Sequence, residues 1–298
     1  MNISPIIFDR VALKRQRDRA AHTLAKADFL FREVADRLTD RLNDISRPFP
    51  VAVDIGSHGG LMRKTLKAHG HIERLLETDF SEHQVKLGVC ENNSAMRIVA
   101  DEEYLPLAPN KFDLVMSNMV LHWVNDLPGT LIQIHQTLKP DGLFIGSMFG
   151  LGTLRELRQC LLDAETGIIG GAAAHVSPFA EVRDVGALLQ RAGFALPVVD
   201  ADTITVRYSN PVKLLRDIRQ MGEANILTER NKVPLRRDVL MRAMNLYVER
   251  YADQDGRVPA TFEIIFLHGW HPDDSQQKPL QPGSGKTLLG RFLSDDHQ

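Results

Sequence analysis

Five short apolar runs, each separated from the next by a longer mixed segment, constrain this chain more than any other feature. They are VAVDIG at 51–56, RLLETDF at 74–80, MRIVAD at 96–101, FDLVMSNMV at 112–120 and GLFIGSMF at 142–149. Runs without strict polar alternation suit strands buried on both faces, and the intervening segments are long enough for crossover helices. Repeated strand–helix units predict an α/β fold with a doubly wound, mostly parallel sheet and right-handed crossovers. LKPDG, from Leu138 to Gly142, supplies the helix stop and turn before the fifth strand.

Helical and edge elements flank that core. Residues 11–45 read as helix, because Leu30, Val34, Leu38 and Leu42 recur every four residues until Pro48 and Pro50 end the pattern. After Gly150, TLRE (Thr153 to Glu156) fits a capping box that opens a helix. Further helical patterns cover 179–192, 211–221 and 236–251, and strands are expected at 198–208 and 260–270. Two late strands around a helical insertion predict an antiparallel addition to the sheet edge.

The totals exclude several classes. With 298 residues and 43% hydrophobic content the chain can bury a full core, and a net charge of −2 argues against nucleic acid as a partner. Two cysteines, Cys90 and Cys160, are far apart and outside any metal-ligand spacing, so a reducing compartment is expected and a disulfide framework is not. The first residues lack an apolar leader and no run approaches a membrane span, so a cytoplasmic protein is expected, with peripheral membrane association open to it. One local exception is basic: Arg10, Lys14, Arg15, Arg17 and Arg19 crowd one segment. It reads as a solvated helix face, with a dock for an acidic partner or a lid over an anionic ligand as the functional alternatives.

The chemistry concentrates at the strand ends. The first strand runs through Asp54 into Gly56, Ser57, His58, Gly59 and Gly60, a turn that brings backbone close to a ligand. Asp54 would repel a pyrophosphate and suits a ligand carrying an amino group. Asp79 ends the second strand, where an acid accepts hydrogen bonds from both hydroxyls of a ribose. Asp101 and Glu102 follow the third strand, where an adenine edge would lie. One acid per strand end over three strands points to a nucleoside cradle.

In order, VAVDIGSHGG, ETDFS, VADEEYLPL, FDLVMSNMVLHWVND and LKPDGLFIGSMFG resemble the successive motifs of class I S-adenosylmethionine-dependent methyltransferases. ADEEYLPL, LHWVNDLPGTL, SPF, LLQRAGF and DGRVPATFEIIF carry a closer resemblance to the methyltransferase-like assembly-factor family of respiratory complex I (NADH dehydrogenase). The malonyl carrier-protein methyltransferases of biotin synthesis are similar at a greater distance.

The resemblance implies a Rossmann-like seven-stranded fold and S-adenosylmethionine as cofactor. It divides the chain into an N-terminal helical cover (1–47), a cofactor-binding core (48–150), the rest of the sheet with a helical substrate or partner insertion (151–272) and a flexible tail (273–298). Asp54, Gly56, Ser57, His58 and Gly60 are then expected at the methionine end, Asp79 at the ribose, and Asp101 with the Glu102 backbone at the adenine. Asn118, Leu121 and His122 would wall the reaction side, with Asn118 and His122 the candidates for catalysis. His58 departs from the pattern by replacing its middle glycine, and Gly59 is placed to absorb the unusual backbone angle.

The implied activity is methyl transfer to a polar acceptor, a protein, in complex I assembly. Hydroxylation of an arginine on a complex I subunit and non-catalytic chaperoning are the alternatives. Methyl transfer needs alignment and desolvation more than an acid–base pair, so a missing dyad is no objection.

Two motifs carry nothing further. PGSGKT, Pro282 to Thr287, lacks the first glycine of a phosphate loop. HGWHPD, His268 to Asp273, lacks a third iron ligand, so no metal is expected.

Overall fold

The computed structural model describes residues 6–66, 72–89 and 95–277. Cys90, the Pro282–Thr287 stretch and the expected flexible tail beyond residue 277 lie outside them. Five parallel strands form the core: β1 (Val51–Ile55), β2 (Arg74–Asp79), β3 (Met96–Val99), β4 (Phe112–Asn118) and β5 (Leu138–Phe149). β6 (Ala195–Tyr208) and β7 (Val258–Trp270) add the antiparallel edge, giving seven strands in the order β3-β2-β1-β4-β5-β7-β6. This is the Rossmann-like arrangement implied by the motifs. The strand order reverses between β1 and β4, so a crevice opens there at the carboxyl ends of the strands.

Period-two burial explains why both faces need cover. Ala52, Leu114 and Met116 point to one face, where α2 (Phe29–Asn43), α6 (Arg155–Ile169) and α9 (Arg237–Tyr251) pack. Val53, Ile55 and Val115 point to the other, against Leu131 and Ile134 of α5 (Leu127–Thr137) and Val185 and Leu189 of α7 (Val182–Arg191). Each such buried aliphatic contributes about 1.5–3 kcal/mol. Short α3 (Leu61–Thr65) and α4 (Glu82–Val89) complete the crossovers, and α8 (Pro211–Met221) follows β6.

Three local expectations give way to tertiary contacts. The single helix over 11–45 is two, α1 (Arg10–Ala20) and α2, joined through a tight turn at Leu24–Lys26. Thr23 anchors the break by donating its hydroxyl to the carbonyls of Ala20 and Gln220 (3.2 and 3.4 Å), which frees α1 to cross the strand ends. LKPDG is not a turn before the fifth strand but its first residues: Leu138 pairs with Phe112, and a register shift follows, with Asp141 at φ 59. The capping box is absent, because the Thr153 hydroxyl donates to the Glu263 carbonyl (2.9 Å) and the Glu156 carboxylate accepts from Thr261, both on β7.

Candidate functional site

The crevice between β1 and β4 is built by a turn that only particular residues can make. Gly56 sits at φ 75, and a Cβ there would lie 2.3 Å from a Val120 methyl, so the position has no room for a side chain. The amides of Gly56 and Ser57 both donate to the Thr78 carbonyl (2.9 Å each), which ties the turn to β2. His58 takes a left-handed φ of 46 itself; Gly59 (φ 73) does not spare it. Its ring stacks on Phe31 of α2 at 4.3 Å, and Nε2 donates to the Asn118 carbonyl (3.0 Å). Burial, reinforced by the charge of Arg17, pushes the imidazole down to about 4, so it is neutral at pH 7.

Around this turn the structure gathers the strand-end acids. Asp54 is fully buried and neither carboxylate oxygen has a hydrogen-bond partner. Burial first, then the neighbouring charges of Glu77 and Asp79, raise its carboxyl well above the usual range. Asp79 accepts the amides of His58 (3.1 Å) and Ser81 (2.9 Å), and burial raises it to about 6 against the pull of Arg17. Asp101 accepts the Glu103 amide (2.9 Å) and pairs with Arg10. Burial works against the charge of Glu102, but Arg17 and Arg10 together hold it down to about 2.

The basic segment is therefore not simply a solvated face. Arg17 is 2% exposed on α1 and pairs with Glu102; Arg10 bonds Glu102 (2.6 Å), Asp101 and the Trp123 carbonyl (3.2 Å). Arg17 Nε and Nη2 stay unpartnered. Leu13, Arg17 and Ala20, at i, i+4 and i+7, form the buried stripe of α1. That spacing was the available signal for a buried arginine.

The side of the crevice at the end of β4 departs further from expectation. Asn118 spends its side chain on bracing: its amide donates to the Phe31 carbonyl (3.0 Å) and its oxygen accepts the Ser147 hydroxyl (3.1 Å). Leu121 packs inward with the α5 core. His122 Nε2 donates to Glu223 (2.9 Å), and the Trp123 indole donates to the same carboxylate oxygen (2.6 Å). Burial lowers the His122 imidazole, leaving it neutral, while His122 and Arg17 keep Glu223 ionised in spite of its burial.

The other Glu223 oxygen and His122 Nδ1 have no partner. Glu223 also lines a cavity of about 240 Å³, walled by Trp123, Phe179 and aliphatic side chains. Sequence reasoning missed Glu223. What places it is Gly222, the left-handed end of α8 (φ 80), which approaches so closely that a Cβ would sit 3.1 Å from Ala20 of α1. Among the described residues, no three His, Cys, Asp or Glu side chains are grouped to hold a metal; His268 is paired within the sheet opposite Ile145 and Val198, and His271, the histidine next to Asp273 in the motif, stacks on His135 at 4.4 Å.

A seven-stranded sheet of this order with acids at successive strand ends defines the class I methyltransferase fold. The YcgJ protein of Bacillus subtilis shares it, with a TM-score of 0.56 over 79% of this chain and 98% of that one at 13% identity. The Methyltransferase domain family matches residues 53–146. Arginine-hydroxylase NDUFAF5, mitochondrial, of Danio rerio is 45% identical over 97% of this chain and 92% of its own length. The malonyl-[acyl-carrier protein] O-methyltransferase of Laribacter hongkongensis is 34% identical over 92% and 94%. The chain belongs to the methyltransferase-like family of respiratory complex I assembly factors, a branch of the S-adenosylmethionine-dependent enzymes.

The cytoplasmic expectation is corrected by the same relatives, which are mitochondrial by name in zebrafish, mouse and human. Few cysteines mark a reducing compartment without saying which one, and the search for an apolar leader is blind to amphipathic, arginine-rich transit peptides. Among the described residues, no helix is long and apolar enough to cross a membrane.

Proposed function

We propose that the chain holds S-adenosylmethionine at the β1–β4 crevice and directs its methyl group to a cationic side chain, an arginine, on a subunit of complex I. The observation that carries this reading is Glu223, a buried carboxylate with one oxygen unpartnered in an aromatic-walled cavity beside the cradle.

The orphaned atoms fit the cofactor. Asp54 takes its ammonium, which supplies the donors both carboxylate oxygens lack. Asp79 takes the ribose hydroxyls, and Asp101 with the Glu102 backbone takes the adenine, beneath α1. Gly56, Ser57, His58 and Gly60 shape the floor at the methionine end, while Asn118 and Leu121 stiffen the wall. Bound there, the cofactor supplies an electrophilic methyl on a sulfonium. The residues around it supply alignment and exclusion of water.

The acceptor side follows from charge and shape. A guanidinium entering the cavity meets Glu223 and a wall that includes the rings of Trp123 and Phe179, a combination suited to a desolvated planar cation. The nitrogen that takes the methyl must release a proton. His122, neutral and with Nδ1 unpartnered, is the candidate base for it, next to the Glu223 that orients the group.

A second reading has its own observation: the 45% identical relative is named an arginine-hydroxylase. At the same acceptor cavity, hydroxylation would place one atom of dioxygen on the substrate while the other leaves as water, with two electrons supplied by a donor outside this chain. Peptide mass spectrometry of complex I subunits, with and without this protein, separates the two. A gain of one methylene supports methyl transfer, a gain of one oxygen establishes hydroxylation, and binding without any mass change leaves an assembly chaperone.

A further inference from the structure

Between α1 and α8 an open cleft of about 650 Å³ runs along the surface, with Arg19, Arg216 and Arg219 on its walls and Ala20, Leu215 and Ala224 among its lining. All three arginines are exposed. Some surface arginines hold carboxylates, as Arg32 does with Asp28 (2.7 Å), Arg37 with Glu33 (2.8 Å) and Arg41 with Asp200 (2.6 Å), while others such as Arg15 and Arg183 stand exposed singly, away from this cleft. Among the described residues, Arg19, Arg216 and Arg219 have no carboxylate within 4.0 Å; Arg19 donates only to the Arg15 carbonyl. Positions near helix C-termini account for Arg19 and Arg219 one at a time, since cations are favoured there. They do not account for cations from two helices lining one groove.

The cleft lies beside the proposed acceptor cavity and shares part of its wall. Leu215 and Ala224 line both, and Glu223 lies between Ala224 and Gly222, whose close approach to Ala20 locks α8 against α1. A segment that places a cationic side chain at Glu223 therefore reaches the three arginines within a few residues of chain. We infer that this cleft docks an acidic stretch of the acceptor protein, so that the substrate is a cationic residue with carboxylates close to it on one side. The inference rests on the acceptor reading given above.

A groove with an apolar floor accepts a peptide, whereas a bilayer presents a flat surface to it. Complementary charge in the cleft gives register and orientation more than raw affinity, by choosing which arginine of a partner enters the cavity. The requirement for both signs, one in each recess, also rejects purely basic and purely acidic segments.

The test uses the full chain saturated with S-adenosylhomocysteine and four synthetic peptides. The central residue is arginine or citrulline, and its neighbours on one side are glutamates or glutamines. Replacing glutamate by glutamine should weaken binding to the parent roughly tenfold, as a few exposed ion pairs would, and the gap should close as salt is raised. In the variant R19Q/R216Q/R219Q that gap should vanish, with S-adenosylmethionine affinity and thermal midpoint unchanged. A triple variant that still prefers the glutamate peptides, or a parent that never does, overturns the docking inference. Loss of binding to phosphatidylserine vesicles in the triple variant, with peptide preference intact, overturns it in favour of a membrane contact. Indifference between arginine and citrulline strikes the acceptor reading instead, and leaves the docking result standing on its own.

Discussion

Replacing His58 by glycine tests whether the turn is held by its unusual residue or strained by it. The left-handed backbone at φ 46 costs an L-residue about 1–2 kcal/mol, which glycine recovers. Three losses oppose that gain. The ring stack on Phe31 is worth about 0.5–1.5 kcal/mol, the Asn118 carbonyl left unpaired costs about 1–3 kcal/mol, and added freedom in the unfolded chain costs about 0.5–1 kcal/mol. The losses win, so His58→Gly should be less stable than the parent by about 1–3 kcal/mol at pH 7.

Acid closes the gap. The folded parent holds His58 near 4 while the unfolded chain titrates near the ordinary imidazole value, so between those limits the unfolded state binds the extra proton. Parent stability from this group is complete above about pH 6.5 and falls by about 3 kcal/mol on approach to pH 4. The variant has no such group. The two denaturation curves, measured in urea at several pH values, should converge and meet near the acid end, while the other buried histidines cancel in the difference. A stability gap that stays constant from pH 7 to pH 4.5, or a variant more stable at pH 7, refutes the account of a neutral, structurally engaged imidazole.

Asp79→Asn should weaken S-adenosylmethionine binding by about 1.5–3 kcal/mol by calorimetry. In the parent, affinity should decline as pH falls through about 6, because the raised carboxyl takes up a proton there. Glu223→Gln keeps acceptors for His122 and Trp123, so cofactor affinity should hold while modification of the acceptor falls by roughly 30-fold or more, as expected when a buried charge partner is removed. Equal activity of E223Q on an arginine peptide removes the residue from the acceptor site. Gly56→Ala should lower stability by more than about 2 kcal/mol from strain at φ 75 and collision with Val120. Adding Val120→Ala should recover part of that loss, and no recovery means the backbone term alone governs the site.

The sheet and the row of acids were legible before any tertiary contact was known. Apolar runs without alternation require strands buried on two faces, and parallel strands all end on one edge. Asp54, Asp79, Asp101 and Glu102 therefore share a crevice once that direction is known. Arg17, His58 and Glu223 were decided only by tertiary structure. Arg17 meets Glu102 across 85 residues, and His122 meets Glu223 across 101.

A charged side chain is buried only where the fold delivers its counter-charge, and no local pattern records the distant partner that does so. The same holds at the turn after β1. Local propensity assigns the left-handed angle to Gly59, yet Phe31, Asn118 and Asp79, from α2, β4 and β2, hold His58 in it as well. Contacts made on three sides outweigh the about 1–2 kcal/mol that the backbone prefers to avoid.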